Sequence, residues 1–153
     1  PTRRSSDLEP TGLILLVTAC GGVLRYVLQY SGLGDLIGNA VASANLPIVL
    51  VAFIVAALVR ICVGSATVAM TMAAGIIAAM PGISELPPLY LACVVAAVAG
   101  GSTVCSHFND SGFWLVRSLV GVDEKTNLKT WTIMETLVGF SGFVVAFIIS
   151  LFV

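Results

Sequence analysis

Long apolar runs, interrupted at a few places by short polar clusters, organise this sequence. Residues 12–30, "GLILLVTACGGVLRYVLQY", predict a first transmembrane helix, since a bilayer core of about 30 Å needs about 20 apolar residues. "SGLGDLIGNAVASANLP" is more polar, with Leu33, Leu36, Ile37, Ala40 and Val41 at helical spacing. It predicts a short amphipathic helix lying in the interface over about 33–44. Residues 47–82 could form one long helix by hydropathy, but "RICVGSATVA" puts Arg60, Gly64, Ser65 and Thr67 at the middle. Two half-segments joined at a small polar tip predict a helical hairpin over about 47–80, entering and leaving on one side. Pro47 and Pro81-Gly82 mark its outer ends.

The next stretch opens with Pro87-Pro88, runs apolar to Ala99 and is interrupted by "GGSTVCSHFNDSG" before "FWLVRSLV" resumes. This pattern predicts a discontinuous transmembrane helix over about 86–120, broken between Gly100 and Gly112. "VDEKTNLK" is expected to be a hydrophilic loop, and residues 131–153 a last span. The fold class that follows is an all-α polytopic membrane protein.

Composition agrees with this and excludes other classes. Of 153 residues, 58% are apolar and 10% charged, with a mean hydropathy of +1.06, whereas soluble domains carry about 25% charged residues. No basic run suits nucleic acid, and the net charge of −1 matters less than where the charges sit. Arg117, Lys125 and Lys129 cluster at 117–130, which places that loop in the cytoplasm and the C-terminus on the periplasmic side. Cys20, Cys62, Cys93 and Cys105 lie in apolar or glycine-rich runs without a CxxC pair, and Cys105-x-His107 lacks further ligands, so neither a disulfide nor a metal site is expected.

The first eight residues, "PTRRSSDL", differ in character from everything after them. Their back-translation resembles a sequencing-library adapter, so residues 1–8 are expected to be non-native and residues 9–153 the C-terminal part of a longer permease.

The two interruptions carry the candidate chemistry. Breaks in apolar helices expose free N–H groups and about half a positive charge at helix N-termini, which suits a carboxylate. Paired breaks point to the midplane site of a secondary transporter. His107, Asn109 and Asp110 stand within four residues of one another. A central charge costs roughly 2.5–3.5 kcal/mol on insertion scales, so such a cluster is seldom idle. Arg60, one turn before Ser65, can pair with Asp110 or with a substrate carboxylate. Glu135 and Arg25 lie near segment ends, where a structural role facing headgroups is favoured, with Glu135 next after Asp110 and His107 as a place for the coupled proton. An intramembrane enzyme using His107 with Ser106 or Asp110 is the competing class, as is a structural subunit. Enzyme chemistry is disfavoured because near-adjacent residues seldom point at each other.

"RICVGSATVAM", then "SHFNDSGFWLV", then "LKTWTIMETL" resemble, in order and spacing, the C-terminal part of the gluconate:proton symporter (GntP-type permease) family. The resemblance covers about residues 10–153 and implies a permease of the bacterial inner membrane for gluconate, a related sugar acid or D-serine. It also implies membership of the ion-transporter superfamily, with inverted repeats, re-entrant hairpins and often homodimers. This chain would then be one half of such an inverted-repeat transporter. Sodium-coupled carriers of that superfamily carry Ser-Asn-Thr at the hairpin tip. Here the tip reads Ser65-Ala66-Thr67, without the amide oxygen, which favours the proton as coupling ion and no other cofactor. The expected site joins Ser65, Thr67, Asn109, Ser111 and Arg60 as substrate ligands to Asp110 and His107 as proton-coupling groups.

Overall fold

A computed structural model describes residues 46–153, with positions 19, 23, 27, 30–32 and 39 before them. The expectations for residues 1–8, for the span at 12–30 with Arg25, and for the interfacial helix at 33–44 lie outside the described residues. Helix α1 (Ile48–Val63) begins at Pro47, whose carbonyl accepts the Val51 N–H at 3.2 Å. It stops at Gly64, in the left-handed region at φ 81°, whose N–H returns to the Arg60 carbonyl. Ser65 is extended and caps α2 (Ala66–Ala78) by accepting the Val68 N–H on Oγ. Two residues therefore suffice to break the apolar run of 47–82, and α1 and α2 pack on one another.

A turn and a single 3-10 turn (Ile83–Glu85) lead to α3 (Pro88–Thr103). Helix α4 (Ser111–Val120) starts at Asp110, whose carboxylate takes the Gly112 N–H at 2.9 Å. It ends at Gly121, and α5 (Glu124–Ser150) completes the described chain. All regular elements among the described residues are helical. With 27 residues, α5 is about 40 Å long and is the one described helix long and apolar enough to cross a membrane alone.

Two boundaries differ from the sequence reading. The break after α3 spans Val104–Asp110, because Gly100 and Gly101 stay helical to Thr103. They serve packing: a Cβ on Gly100 would lie 2.6 Å from the Gly139 carbonyl oxygen of α5, and one on Gly101 2.4 Å from the Phe53 carbonyl oxygen of α1. Each glycine costs a helix about 1 kcal/mol relative to alanine, offset here by close backbone approach on two sides. Residues 122–129 are likewise no free loop, since α5 begins at Glu124. Buried Asn127, 1% exposed, donates to the Phe113 carbonyl at 2.8 Å and ties this first turn to α4. Arg117 adds a 2.8 Å ion pair with Glu124. Thr126 donates its hydroxyl to Asp123, which holds the Asp123 carboxyl below its ordinary value.

Helix α3 is central, packed on α1 along one side and α5 along the other. The core is built from small and branched residues: Val49, Ala52 and Ala56 of α1 meet Cys93, Val94, Ala97 and Val98 of α3, closed by Phe143 and Ala146 of α5. Phe53 stacks on Phe143 with centroids 4.2 Å apart. Outside, Ile54, Leu58, Leu89, Val95, Leu115, Leu119, Leu137 and Val145 are exposed. So continuous an apolar exterior around a small-residue interior is how helices are arranged for lipid.

Candidate functional site

The two breaks meet. Gly64 lies directly against Asn109, so closely that a Cβ would sit 2.2 Å from the Asn109 carbonyl oxygen. The Asn109 amide donates to the Ile61 carbonyl at 2.8 Å, one of the acceptors left free where α1 ends. The N-terminus of α2 at Ser65 and that of α4 at Asp110 therefore start one residue away, along each chain, from a common contact.

Arg60 joins them. Near the end of α1, its side chain turns inward and is 2% exposed, where a guanidinium is tolerable only with strong partners. Nη2 bonds Asp110 Oδ2 at 2.6 Å and lies 3.6 Å from Glu135 Oε2 of α5, while Nη1 donates to the Gly64 carbonyl. Nε has no hydrogen-bond partner among the described residues. Arg60 meets Asp110, one of the two partners the sequence left open.

Asp110 is the more heavily bonded carboxylate. Oδ2 accepts from Arg60 and from the Ser106 hydroxyl, and Oδ1 accepts the Gly112 N–H. Ser106, fully buried, in turn accepts the Trp131 indole N–H at 3.0 Å, and its carbonyl accepts the Thr132 hydroxyl. Thr136 accepts the Cys105 N–H at 3.1 Å, holding that residue at a left-handed φ of 55°. One face of α5, formed by Trp131, Thr132, Glu135 and Thr136, thus supports the break between α3 and α4.

The remaining expected residues fall around this core. Ser65 is half-buried at the α2 cap, and because its Oγ accepts from Val68 its hydrogen stays available to donate. Thr67 and Ser111 are exposed in the first turns of α2 and α4. His107 is half-buried, and its Nδ1 donates to the Cys105 carbonyl at 2.7 Å, since a carbonyl only accepts. No ion pair or hydrogen bond links His107 to Arg60 among the described contacts. The structure brings together Arg60 and Asp110, with Asn109 and Ser111 on either side of Asp110 in the chain and Ser65 next to Gly64, which Asn109 touches.

Trp131 is not singled out by the sequence reading, Ser106 enters it only under the enzyme alternative, and Glu135 is favoured there for a structural role, yet all three stand at the site. A signal existed: in "TWTIMETL" Thr132, Glu135 and Thr136 recur at helical spacing within an apolar span. With both carboxyls ionised, one guanidinium faces two carboxylates, so the cluster carries one net negative charge. It can accept a proton, or rearrange about an incoming anion.

Known proteins share this sequence at length. The chain is 46% identical over 143 residues to the low-affinity gluconate transporter of Escherichia coli (strain K12), covering 92% of this chain and 32% of that protein. It is 40% identical over 145 residues to a gluconate permease of Pseudomonas aeruginosa, covering 95% and 32%. The Gnt-II system L-idonate transporter of Escherichia coli (strain K12) is 38% identical over 130 residues, covering 85% and 29%. These relatives are named permeases or transporters, not enzymes, and the chain spans about a third of their length. No solved structure matches it. Residues 2–152 match the GntP family permeases as a family, and the chain belongs to that family.

Proposed function

We propose that the protein carrying this chain is a secondary transporter of the bacterial inner membrane that moves gluconate or a related sugar acid together with a proton. Support comes from the family and from relatives named for gluconate and L-idonate. D-serine or another small carboxylate is the alternative cargo. The carrying observation is the contact between two helix breaks around one buried arginine. Unwound backbone at membrane depth is tolerated where protein or a cavity surrounds it, and such pairs of breaks hold substrate in transporters.

In this reading α1 and α2 form a re-entrant hairpin, α3 and α4 a discontinuous span, and the whole is one half of an inverted repeat. The turn between α4 and α5 faces the cytoplasm. The substrate carboxylate binds the α2 N-terminus, with the Ser65 and Thr67 hydroxyls donating and Arg60 supplying the charge. Asn109 and Ser111 face the sugar hydroxyls from the second break.

Counterflow of radiolabelled gluconate into proteoliposomes holding the full-length protein tests this. A carrier exchanges label, a channel does not, and an enzyme converts it. Ser65→Ala removes a hydroxyl from an ionised partner, worth about 1.5–3 kcal/mol, or roughly ten- to a hundredfold in affinity. Wild-type exchange by Ser65→Ala and Thr67→Val alike places the substrate elsewhere.

A further inference from the structure

We infer that Glu135 carries the coupled proton, and that Arg60 changes partner between Glu135 and the substrate carboxylate as that proton comes and goes. This rests on the proton-coupled permease reading above and assigns a residue within it.

Asp110 is poorly placed for the task. The groups bonded to its carboxylate, Arg60, the Ser106 hydroxyl and the Gly112 N–H, all donate. A protonated Asp110 would bring a fourth hydrogen into a ring of donors, and Ser106 could reverse only by turning its own hydrogen away to another acceptor while still taking the Trp131 N–H. Asp110 also caps α4, a role its ionised form fills best. His107 has given Nδ1 to the Cys105 carbonyl and forms no hydrogen bond or ion pair with either carboxylate among the described residues.

Glu135 is placed differently. Its ion pair with Arg60 is 3.6 Å long, beyond hydrogen-bonding distance, and the nearby Ser106 hydroxyl is already donated to Asp110. Its side chain is 21% exposed against 10% for Asp110, so water reaches it more readily. Adding a proton there breaks no short bond and removes the surplus negative charge of the cluster. The charged groups facing it are Arg60 from α1 and Asp110 from the break. Helix α2 has no titratable side chain, α3 meets α5 through Gly100 and Thr103, and Arg117 of α4 is held by Glu124 at the start of α5.

The order of events follows from charge. With Glu135 ionised, Arg60 is shared by two carboxylates, and a third anion is repelled. When the Glu135 carboxylate takes a proton from hydronium on one face, the hydronium O–H bond breaks as the carboxyl O–H forms, a water leaves, and Arg60 Nη2 keeps Asp110 as its one charged partner. The guanidinium then accepts the substrate carboxylate while Asp110 keeps it in place. Loss of that proton on the other face restores the Glu135 charge, which draws Arg60 back and displaces the anion. Uptake of the anion without the proton is disfavoured at both ends of the cycle.

The test uses the full-length protein in proteoliposomes with radiolabelled gluconate, measuring accumulation driven by a pH gradient and exchange at equal pH. Glu135→Gln is expected to lose accumulation and keep exchange, with exchange no longer varying with pH. Glu135→Asp, which restores a shorter carboxylate, is expected to regain accumulation with a displaced pH profile. Accumulation by Glu135→Gln at the wild-type level overturns the assignment while leaving the permease reading intact. So does a Glu135→Gln protein that folds, by thermal unfolding in detergent, yet neither exchanges nor binds, or an inert Glu135→Asp. Absence of gradient-driven gluconate accumulation by the wild type instead overturns the permease reading itself.

Discussion

Replacing Gly64 by alanine tests the meeting of the two breaks most directly, because two separate costs add there. Gly64 has φ of 81°, in the left-handed region where a side chain costs about 1–2 kcal/mol. The new Cβ would also lie 2.2 Å from the Asn109 carbonyl oxygen and 2.6 Å from its carbonyl carbon. Those are backbone atoms, anchored by the Asn109 bond to Ile61 and by the Asp110 cap that follows. The overlap is relieved only by moving the breaks apart, and overpacking of this kind costs about 1–3 kcal/mol. Gly64→Ala should therefore lose about 2–5 kcal/mol in all. Gly121 is the internal control: its φ is 74°, and nothing lies within 4 Å of a Cβ built on it. Gly121→Ala bears the backbone cost alone. Thermal unfolding of both full-length variants in detergent should rank Gly64→Ala below Gly121→Ala, and gluconate exchange should be lost only in the former. Equal stability and equal exchange would refute the contact between the breaks, and with it the site.

Two further outcomes follow from the junction of α4 and α5. Asn127→Ala removes a buried bond to the Phe113 carbonyl and should lower stability by about 0.5–1.5 kcal/mol. Asn127→Asp should be worse, because it buries a carboxylate facing a carbonyl; thermal unfolding in detergent that ranks the two the other way round removes this role. For orientation, cysteines placed singly at Lys125 and Val153, in a background without the native cysteines, should react with an impermeant thiol reagent in intact cells at 153 and not at 125. The opposite pattern inverts the topology.

Local chemistry made much of the fold legible. Ser65 and Asp110 are residues that cap helices, and Gly64 and Gly121 are residues that end them, so both breaks and the turn before α5 are marked in the chain itself. Pro87-Pro88 marks the entry of α3 in the same way. The polar cluster at 106–111 was recognisable because apolar surroundings make such residues costly. What local chemistry does not contain is which surfaces touch. Gly100 and Gly101 look like a helix break, yet they stay helical because the backbones of α5 and α1 approach within reach of a single methyl group on either side. "VDEKTNLK" reads as loop, yet most of it is helix because Asn127 finds the Phe113 carbonyl across the turn. Glu135 looked like a headgroup-facing residue until α5 packed beside α3 and carried it to within 3.6 Å of Arg60, which lies 75 positions earlier in sequence number (135 − 60). A buried charge binds whichever opposite charge the packing delivers, so the partners of Arg60 were decided by helix contacts, while the need for partners was already written in the apolar run around it.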